Sequence, residues 1–590
     1  MKYRSHNCGV LRKADAGQEA TLCGWVDSRR DHGGVIFIDL RDRAGITQVV
    51  FRPEEYPEVA KFAHDLRSED VIRISGKIAP RLTGTENTKL ATGEIEVVAS
   101  SLEVLNKADV MPFPLDEDNV NEDLRLEYRY LDLRRPSMQR NLIVRHKVLK
   151  ATRDYFDTQD FLEIETPVLS KSTPEGAREF LVPSRLLPGN FYALSQSPQQ
   201  YKQLLMVGGI ERYFQIAKCF RDEDPRADRI TEIAQVDVEA SFVTREDIIN
   251  LTEGLLVKVF KAAMGVDIPL PFDRMTYDEA MNRYGIDKPD RRFGMELVPL
   301  DDVFRESQFK VFRAALDGGG VVKAINAKGF ASITTGQIEN LTTLARQCGA
   351  KGLAFIKVEN GEWKSPIVKF FSEAEKAALT ERMGIEEGDL ILFGADNWEA
   401  VCTVLGRIRL QVAEILGLVK DPNELNFLWV VDFPLLAYSA EEDKWNAVHH
   451  PFTRPKTEDI GILDSGEYGK VRAEAYDVVL NGVEIGGGSI RIHEQDLQAR
   501  MFEVLGISPE KQQILFPHLL RAFRFGAPPH GGIALGVDRM IMLAAGTSNI
   551  RDVVAFPKNN RGEDLMMNSP SPAEPRQLRE LGLQVTARKP

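Results

Sequence analysis

A chain of 590 residues with 43% apolar and 28% charged side chains is too long for one core, so three or four globular domains are expected and a fibrous or disordered class is excluded. The net charge of −13 argues against a surface that is basic throughout, yet nucleic acid is met by local patches, and 125–153 carries nine Lys or Arg against Glu127 and Asp132; a solvated helix face is the plainer reading of that run. Five scattered cysteines without metal-ligand spacing, no apolar leader and no run of the ~20 apolar residues that span a bilayer point to a cytoplasmic protein with no membrane role.

In chain order, strands are predicted at 21–26, 35–41, 47–51, 71–78 and 94–98, rich in β-branched and aromatic residues, with turns at Asp31-His32-Gly33-Gly34 and Ala44-Gly45. Five short strands in about a hundred residues suit an OB-type barrel, whose sheet face binds oligonucleotides. Pro112 and Pro114 mark a linker. From about Leu142 helical periodicity leads into a mixed region: helices at 144–158 and 199–208, strands at 191–194, 213–220 and 234–242. Residues 293–425 read as an insert with strands at 352–358 and 390–393. Strands then return at 428–432, 476–480 and 484–492, and the tail after Asn568 looks loosely ordered. The expected class is multidomain α+β: barrel 1–108, linker 109–141, an antiparallel-sheet domain in two parts (142–292 and 426–560), the insert, and an extension over 561–590.

Three segments carry chemistry. Phe220-Arg221-Asp222-Glu223-Asp224 closes a strand with an arginine that can reach a phosphate, beside carboxylates that can hold Mg²⁺ or an amine. Gly531-Gly532-Ile533-Ala534-Leu535-Gly536-Val537-Asp538-Arg539 is a glycine-rich strand running into a helix start, where anions are favoured. Glu163-Ile164-Glu165-Thr166-Pro167 is extended and closed by a proline. Each alone is weak, the plain reading being an ion-paired turn, close packing and a boundary.

Their order and separation resemble the three signature motifs of class II aminoacyl-tRNA synthetases, and over nearly the whole chain the layout resembles the bacterial aspartate branch. In that branch an OB-fold reads the anticodon and an insert called the GAD domain interrupts the catalytic domain, here matched by GAKGLAFIKV (349–358), SPIVKF (365–370) and FGAD (393–396). The resemblance implies L-aspartate, ATP and Mg²⁺ as reactants and cofactor, aspartyl-adenylate as the intermediate, tRNA as acceptor, and a homodimer built on the Pro167 motif. It assigns catalysis to Arg221, Glu484 and Arg539, and Mg²⁺ to Asp477 and Glu484. ATP falls to Arg221, Asp222, Glu223, Ile230, Glu484, Gly536, Val537, Asp538 and Arg539. Aspartate falls to Glu175, Gln199, Gln200, Tyr201, Lys202, Arg221, Asp237, His449, His450 and Arg491, with Arg491 taking the side-chain carboxylate bidentately and Glu175 the ammonium. In the barrel, Phe37 is expected to stack on a base while Arg29 and Gln48 bond base edges; whether Phe37 is instead core stays open.

His32 stands where strict members of the family commonly carry leucine, and Gly84 also fits the relaxed members, which charge both tRNA(Asp) and tRNA(Asn). The departures are Ile230 in place of glutamine and Ile233 in place of a phenylalanine that stacks on adenine, a loss of ~1 kcal/mol of aromatic contact. Milder ones are Gln200 and Tyr201 in place of Leu-Phe. The alternatives are an enzyme strict for tRNA(Asp), an amide-forming relative of the fold, which would lack the barrel, and a non-catalytic paralogue, which would lose Arg221 or Arg539.

Overall fold

The structure is a computed structural model that describes residues 3–117, 119–172 and 178–586. It divides into two compact units, Met1–Gln139 and Arg140–Pro590.

In the first unit, β1 (Glu19–His32), β2 (Val35–Asp42), β3 (Gly45–Phe51), β4 (Val71–Pro80) and β5 (Ile95–Asn106) close a barrel in the order β1-β2-β3-β5-β4. Strand alternation fills it: Ile36, Ile38 and Leu40 of β2 are buried with Ile72, Ile74, Val49 and Val97, while Val35, Phe37 and Asp39 face outward. The β1–β2 turn uses Gly33 and Gly34 at φ 64° and 92°, backbone that side chains avoid. Much of the basic run is structural. Buried Asp132 gathers Arg125 (2.9 Å), Arg129 (2.5 Å) and Arg135 (3.6 Å), and Arg134 pairs with Glu69 (2.7 Å) while covering Trp25.

In the second unit, α1 (Pro136–Thr158) leads to β6 (Leu162–Glu163), α2 (Gln199–Val207), β7 (Arg212–Phe220), β8 (Glu232–Ser241), α3 (Arg245–Met264) and β9 (Asp273–Thr276). Helix α3 starts at a capping box, Thr244 with Asp247, and stops at left-handed Gly265. The insert follows: β10 (Val298–Pro299), β11 (Val321–Ala327), α4 (Thr335–Gln347), β12 (Ala354–Glu359), β13 (Glu362–Lys364), β14 (Leu390–Asp396) and α5 (Trp398–Leu416). The chain then returns through β15 (Phe427–Val431), β16 (Ala475–Leu480), β17 (Val483–Ile490), β18 (His530–Gly536) and α6 (Val537–Ala545).

The main sheet runs β9-β15-β16-β17-β18-β8-β7-β6. Its six central strands are antiparallel and its edge pairs, β9–β15 and β6–β7, are parallel. One face is apolar: Ala234, Val236 and Val238 of β8 pack with Val144 and Val148 of α1, Ile249 and Leu256 of α3, and Met540 and Ile541 of α6. Each large aliphatic side chain so buried stabilises by about 1.5–3 kcal/mol. With that face covered by helices, the other carries the polar chemistry.

The insert is an antiparallel sheet, β10-β11-β14-β12-β13, between two cores: Ile325, Leu392, Ile338, Leu405 and Ile408 under α4 and α5, and Phe304, Phe312, Phe371 and Phe393 on the other side. The tail, expected to be loose, forms a short exposed helix at Pro575–Glu580. Among the described residues no helix is long and apolar enough to cross a membrane, and all five cysteines are free.

Candidate functional site

Directly opposed residues on antiparallel strands point the same way. Register therefore lays two rows across the open face: Gln215, Asp237, Ala534, Gly487, Asp477, and beside it Tyr213, Glu239, Gly532, Ser489, Ala475. The glycines make room for their neighbours' carboxylates. A Cβ at Gly487 would collide with Asp477 Oδ1, and one at Gly532 with Glu239 Oε2. The glycine-rich character of β17 and β18 thus follows from acids lying across them.

Two buried cations stand over these rows. Lys202, projecting from α2, lies 2.9 Å from Asp237 and 3.4 Å from Glu239; Arg491, just beyond β17, grips Glu239 through Nε and Nη2 at 3.0 and 3.2 Å. Its Nη1 donates to Ser489 Oγ (2.5 Å) and lies 2.8 Å from His450 Nε2, so that ring nitrogen accepts and His450 is neutral. Burial, with Arg491, His449 and Lys202 behind it, holds the proton affinity of His450 well below the usual histidine range. Burial pushes the Glu239 carboxyl up, but Arg491 and Lys202 outweigh it and keep it ionised.

Several expected contacts are corrected here. The fork of Arg491 is already given to Glu239 and both Nη1 hydrogens to Ser489 and His450, so a bidentate grip on an incoming carboxylate is not free; one Nη2 N–H remains. Gln200 turns to His518 (2.5 Å) on helix Pro517–Phe523 rather than joining Lys202, and half-buried Tyr201 has no polar contact with the network among the described residues. Gln199, at the start of α2, is buried with Nε2 unpartnered. Glu175 lies outside the described residues.

At the β7–β8 hairpin, Arg221 is half-buried and makes no ion pair with a described residue, Glu223 pairs with Arg229 (2.5 Å), and Asp222 is held by its backbone N–H on Arg178 O (3.0 Å). Across the face, Arg539 donates to Glu484 O (3.0 Å) and reaches Asp228 at 3.6 Å. Glu484 stands just before an irregularity in the β16–β17 register, within reach of the Asp477 charge. Burial and then the Asp477 charge raise its proton affinity, with Lys288, at 3.8 Å, and Arg539 offsetting them. Asp477 Oδ1 is buried without a hydrogen-bond partner, 3.7 Å from His449 Nε2. Burial lowers the proton affinity of His449, but Asp477 more than compensates, so it is raised.

The rest of the expected ATP set divides by side. Gly536 stands opposite Gln235 on the open face. Ile230 and Val537 have their side chains buried in the apolar core below the sheet, and the Asp538 carboxylate is spent on Arg145 (2.6 Å) and Ala234 N (2.8 Å), so these three side chains do not face the open side. Ile233 shares the open side of β8 with Gln235 and Asp237 by alternation.

On the barrel, Phe37 faces outward, which settles that it is not core, and His32 at the hairpin tip meets its ring edge-on at 5.7 Å. Arg29 is corrected: an irregularity between Val26 and Ser28 shifts the alternation, placing Arg29 opposite core Ile38 and Arg30 opposite Phe37. Arg30 pairs with Asp39 (3.0 Å), and Gln48 with Glu96 (2.9 Å), on Phe37's face of the barrel. Gly84 sits in an exposed loop at φ 88°.

Buried polar atoms are nearly always paired. Here Gln199 Nε2, Asp237 Oδ2, Asp477 Oδ1 and His449 Nδ1 are not, and the first three rise from one sheet face and the helix over it, as expected of a polar ligand's seat. Glu239 was missed from sequence, although Asp237-Val238-Glu239 on a strand is a period-two acidic pair that marks one face. Among the described residues no three metal-ligating side chains converge; Asp477 and Glu484 make a carboxylate pair.

The sequence profile described as tRNA synthetases class II (D, K and N) matches residues 121–560, and that of an OB-fold nucleic acid binding domain matches 20–105. The aspartate–tRNA(Asp/Asn) ligases of Opitutus terrae and Methylacidiphilum infernorum are 58% and 54% identical over 99% of this chain, and over 99% and 97% of their own length. Asparaginyl-tRNA synthetases of Pyrococcus horikoshii and Entamoeba histolytica, solved with asparaginyl-adenylate, superpose with TM-scores of 0.58 and 0.57 at 19% and 18% identity, covering 94% of this chain and 98% of theirs. At that identity they speak to fold alone.

Proposed function

The chain belongs to the class II tRNA synthetases of the aspartate, lysine and asparagine group, and on that premise we propose that it works as an aspartate–tRNA ligase, activating L-aspartate with ATP and passing it to the 3′ end of tRNA(Asp) and tRNA(Asn). The observation that carries this reading is the buried network Lys202–Asp237–Glu239–Arg491 beside the carboxylate pair Asp477–Glu484. The first holds two oriented cations whose remaining N–H groups can meet a carboxylate; the second is a seat for a cation that travels with phosphates.

Little covalent chemistry falls to the protein, so positioning and charge do the work. Asp237 and Glu239 fix the direction of Lys202 and Arg491, and neutral His450 closes the Nη1 edge of Arg491. The one N–H that each cation has left is satisfied by a substrate carboxylate. The amide of asparagine would turn N–H against N–H, a mismatch that a site of buried polar groups rejects by roughly 10⁴-fold. Arg221, without an ion-pair partner among the described residues, is the group available to the α-phosphate as charge builds there; Arg539 is anchored to serve the far end of ATP. Asp477 and Glu484 fit Mg²⁺: their oxygens are hard ligands, Asp477 Oδ1 lacks a partner, and their mutual repulsion is relieved by a cation. Bound there with ATP, Mg²⁺ would neutralise phosphate charge.

The outward Phe37, with Arg30 and Gln48 on its face, suits stacking and edge contacts to anticodon bases. Extension to tRNA(Asn) rests on the names of the relatives and on His32 and Gly84. A homodimer is supported by exposed Leu162, Val168, Leu169, Leu181 and Phe191 around the Pro167 segment, since patches of that kind mark interfaces. A cytoplasmic place accords with free cysteines. ATP–pyrophosphate exchange tests the reading: aspartate should support it and asparagine should not, and no aspartate-dependent exchange would leave a binding paralogue instead.

A further inference from the structure

The connector between the sheet domain and the insert does more than join them. It begins at left-handed Gly285, where a Cβ would collide with Cys402 O of α5, and Gly406 on that helix packs just as closely against Gly285 O. Arg409 of α5, fully buried, donates through Nη2 to the carbonyls of Asp290, Phe293 and Gly294 (2.9–3.0 Å) and through Nε to Met295 O (3.0 Å), with its guanidinium over the rings of Phe293 and Tyr284. On its other side the connector is fastened to the sheet. Arg291 bonds Asn426 and Asp273 (2.8–3.0 Å), and Asp290 abuts left-handed Gly482 at the β16–β17 turn. A segment held from both sides presents one cation to the site, Lys288, with Nζ 3.8 Å from Glu484 Oε2. That separation is an ion pair without a hydrogen bond, and it is the only ion pair Lys288 makes among the described residues.

We propose that Lys288 is a phosphate-binding residue of the adenylation step: it balances Glu484 when no nucleotide is present, and it turns to the polyphosphate of ATP, and then to departing pyrophosphate, when nucleotide binds. The insert, through Arg409 and the connector, is what holds it there. The inference rests on the ligase reading above. Lysine suits the task, being a compact, rotatable point charge that can exchange a carboxylate for a phosphate oxygen without a fixed fork geometry.

The test is ATP–pyrophosphate exchange with the full-length protein, wild type against Lys288→Ala and Lys288→Arg, with thermal unfolding measured alongside. Lys288→Ala should raise the Michaelis constant for ATP about tenfold, the change one charge-assisted contact carries. The constant for aspartate and the melting temperature should stay where they are, and Lys288→Arg should recover part of the loss. An unchanged ATP constant in Lys288→Ala overturns the proposal, as does a parallel rise in both constants, which would mean a merely structural part. Absence of exchange in the wild type would overturn the ligase reading itself, and the proposal with it.

Discussion

His450 shows how a single residue in this site depends on its surroundings. It is half-buried against Arg491; desolvation and the charges of Arg491, His449 and Lys202 all disfavour a second proton on the ring, so its folded proton affinity lies below the unfolded value of 6.5. For a histidine shifted down, the unfolded chain takes up the proton first. Its contribution to stability is therefore complete above about pH 6.5 and falls away as the pH drops below it. Urea unfolding from about pH 7.5 to about pH 5.5 should show His450→Gln, which keeps an acceptor but cannot gain charge, losing about 1 kcal/mol less than the wild type; parallel curves would mean His450 is not held neutral. Lys202, Arg491 and Asp237 were singled out in sequence by resemblance alone, and the fold brings them into one buried network. The use of Arg491 was not legible, because its fork is filled by Glu239, a residue distant in the chain and set opposite only by sheet register.

At the scale of elements, β2 and β8 were readable as strands, but which face of each is polar was not, and neither were irregularities. One extra residue in β1 moves Arg29 inward and brings Arg30 beside Phe37, a one-step slip that no local pattern announces. The hairpin after Arg221 likewise hides that Ile230 has already turned to the core. Glycine in β17 has a readable purpose only once the neighbouring strand is in place. Gly487→Ala would push against Asp477 Oδ1, the end of a movable side chain, so the fold should survive with its melting temperature nearly unchanged. The Mg²⁺ concentration needed for half-maximal exchange should rise about tenfold, as when a metal ligand loses its orientation. An unaltered Mg²⁺ requirement would mean that Asp477 does not hold the metal.

For the whole molecule, barrel, antiparallel sheet and insert were legible in order and class, since each has its own period and turn chemistry. The coupling of insert to sheet was not, because Arg409 acts through backbone carbonyls that leave no sequence signature. This assembly should charge tRNA with aspartate, and the barrel's hairpin with His32 should admit two anticodons. The most direct measurement is aspartylation of tRNA(Asp) and tRNA(Asn) transcripts, side by side, with ATP and aspartate. Both should be charged. Charging of tRNA(Asp) alone would overturn the reading of His32 and Gly84 while leaving the chemistry intact, and charging of neither would contradict the ligase reading.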